Sequence, residues 1–303
     1  MDELTPIEEY NGILFKRDDL FQPFDDIPLS GGKVRQAIKL IQNNLSDIRE
    51  KYNNTVITGT SVNSPQGIIV SRVAKEYGVN SIIVFGNTKE ENLLKNNLTH
   101  NAMLYATRID TKSKLAYDSV LTSRVHKLCE EENKSYFFIK FGINLECDKD
   151  AIIDTVANQC LNLPDDLDYL FVPAGSAIML GGIIKGCYKF NKHPHIVGVQ
   201  ISGYDRDKTV RNILGISFEK PKTLKTDIFN QYEDNPYKYD FVIDHTYPYA
   251  KHLKIEISPG FILDPVYESK AYEYMIKHYD LKDKKTLFWV VGDSNMVRNK
   301  YYG

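Results

Sequence analysis

The sequence is poor in features that would place it at a glance. Four cysteines occur in 303 residues (Cys129, Cys147, Cys160 and Cys187), with no CxxC pair and no cluster among the seven histidines. That spacing excludes the common zinc and iron–sulfur sites, so no metal is expected and free thiols in a reducing compartment are the plain reading. No run of about 18 apolar residues is present, and no membrane span is expected. The opening MDELTPIEEYNG lacks the basic flank and apolar core of a signal peptide, so a cytoplasmic location is expected. Charge of one sign is not in excess either: 38 Lys and Arg face 40 Asp and Glu, for a net −2. Such a balance argues against a nucleic-acid or anionic-membrane partner, while a small acidic or zwitterionic ligand needs only local charge.

What is present is an ordinary globular composition, 42% apolar and 26% charged, with length enough for two modest domains. Short Val- and Ile-rich runs alternate with helical stretches. Thr55–Thr58 reads as a strand, Gly67–Tyr77 as a helix ending at Gly78, Ser81–Phe85 as a strand and Lys89–Leu98 as a helix. Tyr169–Val172, Ile196–Ile201 and Leu287–Val291 read as later strands. This rhythm predicts an α/β protein with parallel sheets and crossover helices. One series precedes residue 145 or so and one follows, which suggests two doubly wound open-sheet units. The stretch 204–254, rich in Tyr, Asp and Pro, predicts long loops.

Three segments look chosen for chemistry. In Pro28-Leu-Ser-Gly-Gly-Lys33 two glycines permit a tight turn, and a helical pattern begins near Val34. Lys33 then reads either as a solvated lysine at a helix start or as an amine held on a rigid element to form an imine. Leu170 to Gly186 runs from a strand through a glycine-rich turn into a helix, without GxGxxG or a P-loop pattern. Amides freed at Gly175 and Ser176 would cradle a single phosphate; Gly181 and Gly182 read equally as tight helix–sheet packing. Finally, Tyr267 and Glu268 stand where a proline-stiffened segment enters a helix, a place that favours a carboxylate for structural reasons alone.

Taken in order, five segments resemble the fold type II pyridoxal 5′-phosphate (PLP) enzymes that include 1-aminocyclopropane-1-carboxylate deaminase and D-cysteine desulfhydrase. Arg17-Asp-Asp-Leu20 is similar to a KRDDL-like segment, and Gly31-Gly-Lys-Val-Arg35 to GGNKxR, one residue short. Asn63-Ser-Pro-Gln-Gly67 stands at the SNH-like loop, Gly175–Gly182 at the GSGGTxAG phosphate loop, and Leu263–Ala271 at LDPVYxGKA.

The resemblance implies a tryptophan synthase β-like architecture, with a large cofactor domain of residues 1–35 and 146–303 around a small domain of 36–145, and a homodimer. It implies PLP on Lys33, which would shuttle protons. Gly175, Ser176, Ala177, Ile178 and Met179 would hold the phosphate, and Glu268 would face the pyridine nitrogen. Tyr267 would serve as an acid–base or nucleophile-assisting group, Ser64 would meet the substrate carboxylate, and Asn63 would stand beside the cofactor. The implied activity is that of a lyase or deaminase, passing a small amino acid through an external imine and a carbanion stabilised by the protonated ring.

Departures are visible. Pro65 replaces an asparagine, Ala177, Ile178 and Met179 replace Gly, Gly and Thr, and Trp289–Asn295 replaces an HTGG-like turn. They leave open an unusual amine, such as an aminoacyl-modified nucleobase or nucleotide, with decarboxylation among the outcomes. They are also compatible with a catalytically inactive binding descendant, and the residues by themselves with a cofactor-free sugar- or nucleotide-binding protein.

Overall fold

The structure is a computed structural model that describes residues 3–143, 148–201, 206–216, 237–249 and 251–303. Its strands and helices follow in chain order: β1 (Ile7–Tyr10), β2 (Ile13–Arg17), α1 (Gly32–Asn43), α2 (Leu45–Lys51), β3 (Thr55–Ser61), α3 (Gln66–Glu76) and β4 (Asn80–Gly86). Next come α4 (Glu90–Leu93), α5 (Asn97–Tyr105), β5 (Arg108–Ser113), α6 (Asp118–Glu132), β6 (Phe137–Ile139), α7 (Lys149–Ala157), β7 (Tyr169–Ala174) and α8 (Ile178–Lys189). The last are β8 (His195–Gln200), α9 (Asp207–Leu214), β9 (Tyr239–Ile243), β10 (Glu256–Ser258), β11 (Phe261–Ile262), α10 (Glu268–His278), β12 (Thr286–Val290) and α11 (Asn295–Asn299). The chain forms two compact units. Unit 1 comprises Met1–Phe21, Ser30–Gly32 and Ile153–Asp293; unit 2 comprises Gln22–Leu29, Lys33–Ile152 and Ser294–Gly303.

Unit 1 is built on a six-stranded sheet in the order β1-β2-β12-β7-β8-β9. β1 pairs with β2 in antiparallel fashion, and every other pairing is parallel. Both faces are covered, which explains why YLFVPA and TLFWV read as continuous apolar runs. Leu170, Val172, Leu287 and Trp289 enter one core, and Phe171, Phe288 and Val290 enter the other. The strand order reverses between β7 and β12, so their carboxyl ends flank a topological switch point, the usual ligand position of an open α/β sheet.

The Arg17–Leu20 motif closes this unit. Asp18 is fully buried and accepts bonds from the Thr5 hydroxyl at 2.7 Å and the Trp289 indole at 3.1 Å. Arg17 forks onto Asp19 at 2.7 Å, pairs with Glu8 and lies over the Phe261 ring.

Unit 2 carries a wholly parallel sheet in the order β5-β4-β3-β6, reversing between β3 and β6. Ile57, Ile82, Val84, Leu121 and Val125 fill the core on one side of it. The helix expected over Lys89–Leu98 is not continuous. It breaks after Leu93, and Asn96 restarts the chain by accepting the Leu98 amide at 2.9 Å as the cap of α5. Asparagine competes with the backbone for such bonds, which is why it stops one helix and starts another.

Within 204–254, the described residues carry α9 and β9 where loops were expected; 204–205, 217–236 and 250 lie outside the described residues, as do the expected domain boundary at 145/146 and Cys147. Among the described residues no helix is long and apolar enough to cross a membrane.

Candidate functional site

Both strand ends at the unit 1 switch point open into short loops. β7 leads into Gly175–Ala177, where Ala177 is held in the left-handed region at φ 63° before α8 begins. An alanine there costs about 1 kcal/mol, a local strain of the kind functional turns retain. The side chains of Ala177, Ile178 and Met179 are all buried, so replacing Gly, Gly and Thr does not block the turn. First-turn amides have no partner inside their own helix and can face an anion.

Gly175 lies against the Tyr267 ring, which would stand 3.0 Å from an added Cβ. Gly181 and Gly182 are packing glycines: added methyls would meet Ile213 at 2.7 Å and Val156 at 2.9 Å.

The turn before Lys33 bridges the two loops. Gly31, at φ 90°, donates to Phe21 O at 3.1 Å, and Gly32 donates to Val291 O at 3.0 Å. The Ser30 hydroxyl donates to Asp293 O at 3.2 Å and accepts the Asp293 amide at 2.9 Å. A Cβ on Gly31 would collide with the Val291 carbonyl, and one on Gly32 with the Met179 thioether. Lys33 follows immediately, as the second residue of α1 and the first of the long stretch of unit 2.

Glu268 opens α10 from a fully buried position. Its Oε1 accepts the Gly292 amide and its Oε2 the Asp264 amide, each at 3.0 Å. Asp264 in turn accepts the Val266 amide at 2.9 Å and the Tyr267 amide at 3.1 Å, which fixes the turn presenting both candidate residues. Burial pushes the Glu268 carboxyl well above the ordinary carboxylate range, and the Asp264 charge adds to that against the two amide bonds. Among the described residues no cation forms an ion pair with it. The Tyr267 hydroxyl shares a 2.7 Å hydrogen bond with that of Tyr249. Lys270, buried with its pKa lowered by desolvation, donates to Pro248 O and Tyr249 O at 3.0 Å and so anchors Tyr249.

Unit 2 holds Asn63 and Ser64 on the β3–α3 loop, beside that unit's own switch point. The Ser64 oxygen accepts the Gln66 amide at 3.3 Å, and Pro65 caps α3 at φ −72°, a helix-start conformation that proline favours. Two side chains grip the loop: Asn96 donates to Val62 O at 3.1 Å and Arg298 to Asn63 O at 2.7 Å. Buried Gln66 spans the switch point, donating to Thr58 Oγ1 at 2.7 Å and Lys140 O at 3.1 Å while accepting the Gly142 amide at 2.7 Å. Gly292, Asp264, Tyr249 and Gln66 escaped the sequence reading. Only Asp264, an aspartate two residues before an amide it can accept, had a local signal.

Residues 2–241 match the family of pyridoxal-phosphate dependent enzymes. The chain is 24% identical, over 94% of its length and 79% of the other, to an O-seryl-dTMP PLP-dependent decarboxylase of Salmonella phage ViI. It is 26% identical, over 93% and 88%, to a putative 1-aminocyclopropane-1-carboxylate deaminase of Thermotoga maritima. Among solved structures, an ACC deaminase homologue superimposes with TM-score 0.71 at 21% identity, covering 98% of this chain and 91% of that one. The O-acetylserine dependent cystathionine beta-synthase of Helicobacter pylori gives 0.61 at 14% identity, covering 98% and 94%. These likenesses establish the fold as PLP fold type II.

The residues present suit the cofactor. A buried carboxyl lacking a cationic partner fits a protonated pyridine nitrogen, and the start of α8 beside a glycine that a side chain would fill fits a phosphate. Family match, fold and donor set agree: the chain belongs to the pyridoxal-phosphate dependent enzyme family.

Proposed function

We propose that this enzyme is a lyase or deaminase of small amino acids. The observation that supports the reading most is Glu268, a buried carboxyl with one backbone amide on each oxygen, beside the loop that docks the Gly31–Gly32 turn. In this reading Lys33 would hold the cofactor covalently, and the amides of Gly175, Ser176, Ala177, Ile178 and Met179 would hold its phosphate. The bound cofactor supplies an electron sink for a carbanion at the substrate's α-carbon. Glu268 would accept a hydrogen bond from the cofactor's ring nitrogen and favour its protonated form, which would suit a demanding carbanion better than a hydroxyl residue would.

Once the substrate amine displaces it from the cofactor, the freed Lys33 amine would take and return a proton at the α-carbon, and Tyr267, steadied by Tyr249, would hold a proton for the leaving group. Ser64 would orient the substrate carboxylate, and Asn63 would stand beside the cofactor. The cofactor domain of 1–35 and 146–303 around a small domain of 36–145 and a homodimeric state belong to the same proposal and rest on family resemblance; a cytoplasmic location belongs to it too and rests on the scattered cysteines, which suit a reducing compartment.

A second reading is decarboxylation of an aminoacyl nucleotide, favoured by the phage decarboxylase relative that spans 94% of this chain. The two separate by product. Holoenzyme is incubated with L- and D-amino acids, 1-aminocyclopropane-1-carboxylate and O-seryl-thymidylate. Ammonia with a 2-oxo acid from a small amino acid is the expected result. CO2 from the nucleotide without ammonia selects the second reading, and no product from any of them contradicts both.

A further inference from the structure

We infer that Arg206 binds a phosphate monoester carried on the substrate, distinct from the cofactor's own phosphate. The inference deepens the second reading above and rests on it for the substrate class, an amino acid linked to a nucleotide.

Most shielded arginines of this chain have partners. Arg17 meets Asp19 and Glu8, Arg72 meets Asp26 and Glu76, Arg124 meets Asp110 and Glu131, and Arg211 meets Asp207. Arg35 and Arg206 each have an Nε that is shielded from solvent and meets no acceptor, but Arg35 interacts elsewhere, whereas the Arg206 side chain makes no hydrogen bond or ion pair with any described residue. Stripping water from part of a guanidinium without giving it an acceptor is costly, and a binding group awaiting an anion is a physical reason to retain one.

Its place points to the same use. The Arg206 amide donates to Gln200 Oε1 at 3.0 Å, so a buried side chain at the end of β8 anchors the residue. Gln200 pairs with Ala174 of β7 on one side and Ile243 of β9 on the other, and its carbonyl accepts the Asp244 amide at 2.9 Å. Neighbouring strands lie about 4.8 Å apart, so Arg206 is rooted at the carboxyl edge, one strand from the turn assigned to the cofactor phosphate. Asp244, the acidic group next along that edge, is occupied with the Thr246 amide at 2.9 Å. A planar fork of N–H groups matches phosphate oxygens, and the overall charge of −2 makes this a local attraction rather than a general one.

The test uses holoenzyme, in which the cofactor already fills its own phosphate turn, with thymidine 5′-monophosphate and thymidine as probes in calorimetric titration. The parent is expected to prefer the monophosphate by about 10- to 100-fold. Arg206→Gln removes the preference while retaining cofactor absorbance, and Arg206→Lys retains part of it. Equal binding of the two probes by the parent overturns the inference, as does a preference that survives in Arg206→Gln. Loss of cofactor rather than of the preference in that variant overturns it too.

Should the variants not fold, phenylglyoxal modification of the parent decides: the monophosphate, but not thymidine, protects Arg206 in the mapped peptide. Equal protection by both contradicts the inference. CO2 release from O-seryl-thymidylate is measured separately. An Arg206-dependent preference without CO2 keeps the phosphate site and removes the decarboxylation reading. CO2 release whose KM is unchanged in Arg206→Gln removes the site and keeps the reading.

Discussion

Gly31 and Gly32 look alike in the sequence, yet they answer to different constraints. Gly31 holds a φ of 90°, and a side chain there would strike the Val291 backbone, which has nowhere to go. Gly31→Ala is expected to cost about 3 kcal/mol or more in urea denaturation of the apoenzyme. At Gly32 the close contacts are with the flexible Met179 thioether, the Asp18 carboxylate standing at an ordinary 3.6 Å, so Gly32→Ala costs about 1 kcal/mol by displacing the thioether. Met179 belongs to the turn proposed for the cofactor phosphate, so that variant loses cofactor affinity out of proportion to stability in a PLP titration.

Glu268 gives a prediction in pH. Its folded pKa is raised by burial, so its contribution to apoenzyme stability is full below the unfolded carboxyl range and is lost as pH rises toward the folded value. Glu268→Gln removes that titration, and the Tm of the parent minus that of the variant falls as pH rises above the ordinary carboxyl range. A difference that stays flat or rises removes the unpaired-carboxyl account. The carboxylate's suitability for a helix start is readable locally, but its partner Gly292 lies 24 positions away, and Trp289 lies 271 from Asp18. Long-range bonds of that kind leave no trace in local pattern.

At the scale of elements, β3, β4, β7, β8 and β12 were the most readable part, because burial on both faces leaves uninterrupted apolar runs, while β1, β2, β5, β6 and β9 went unread. Helix limits were less so. The apolar spacing over 89–98 is helical, and only the Asn96 cap shows that two helices share it. The β3–α3 loop was recognisable from Asn63-Ser-Pro-Gln, while its supports, Asn96 and Arg298, come from distant segments.

Arg298→Ala frees the Asn63 carbonyl and is expected to raise KM about 3- to 30-fold with kcat and cofactor absorbance little changed. A fall in kcat alone in steady-state kinetics contradicts a positioning role for that bond. Gln66→Leu removes three hydrogen bonds, strands the Gly142 amide and costs about 2–4 kcal/mol of unfolding free energy.

For the whole molecule, the α/β class and the cofactor were legible because a shared framework spreads its signature over five segments in order. The reaction was not, since it depends on how the substrate is held, and the Asn63–Gly67 loop that would hold it carries Pro65 where the motif it resembles has asparagine. Binding the folded state alone, cofactor at 100 times its Kd adds about 2.7 kcal/mol, so the Tm of the apoenzyme should climb with added PLP.

The measurement closest to the central claim is covalent. Protein reconstituted with PLP is reduced with borohydride, digested and mapped by mass. The account predicts a yellow protein whose pyridoxyl adduct is on Lys33 and disappears in Lys33→Ala. A colourless protein without adduct, or an adduct on another lysine, contradicts it.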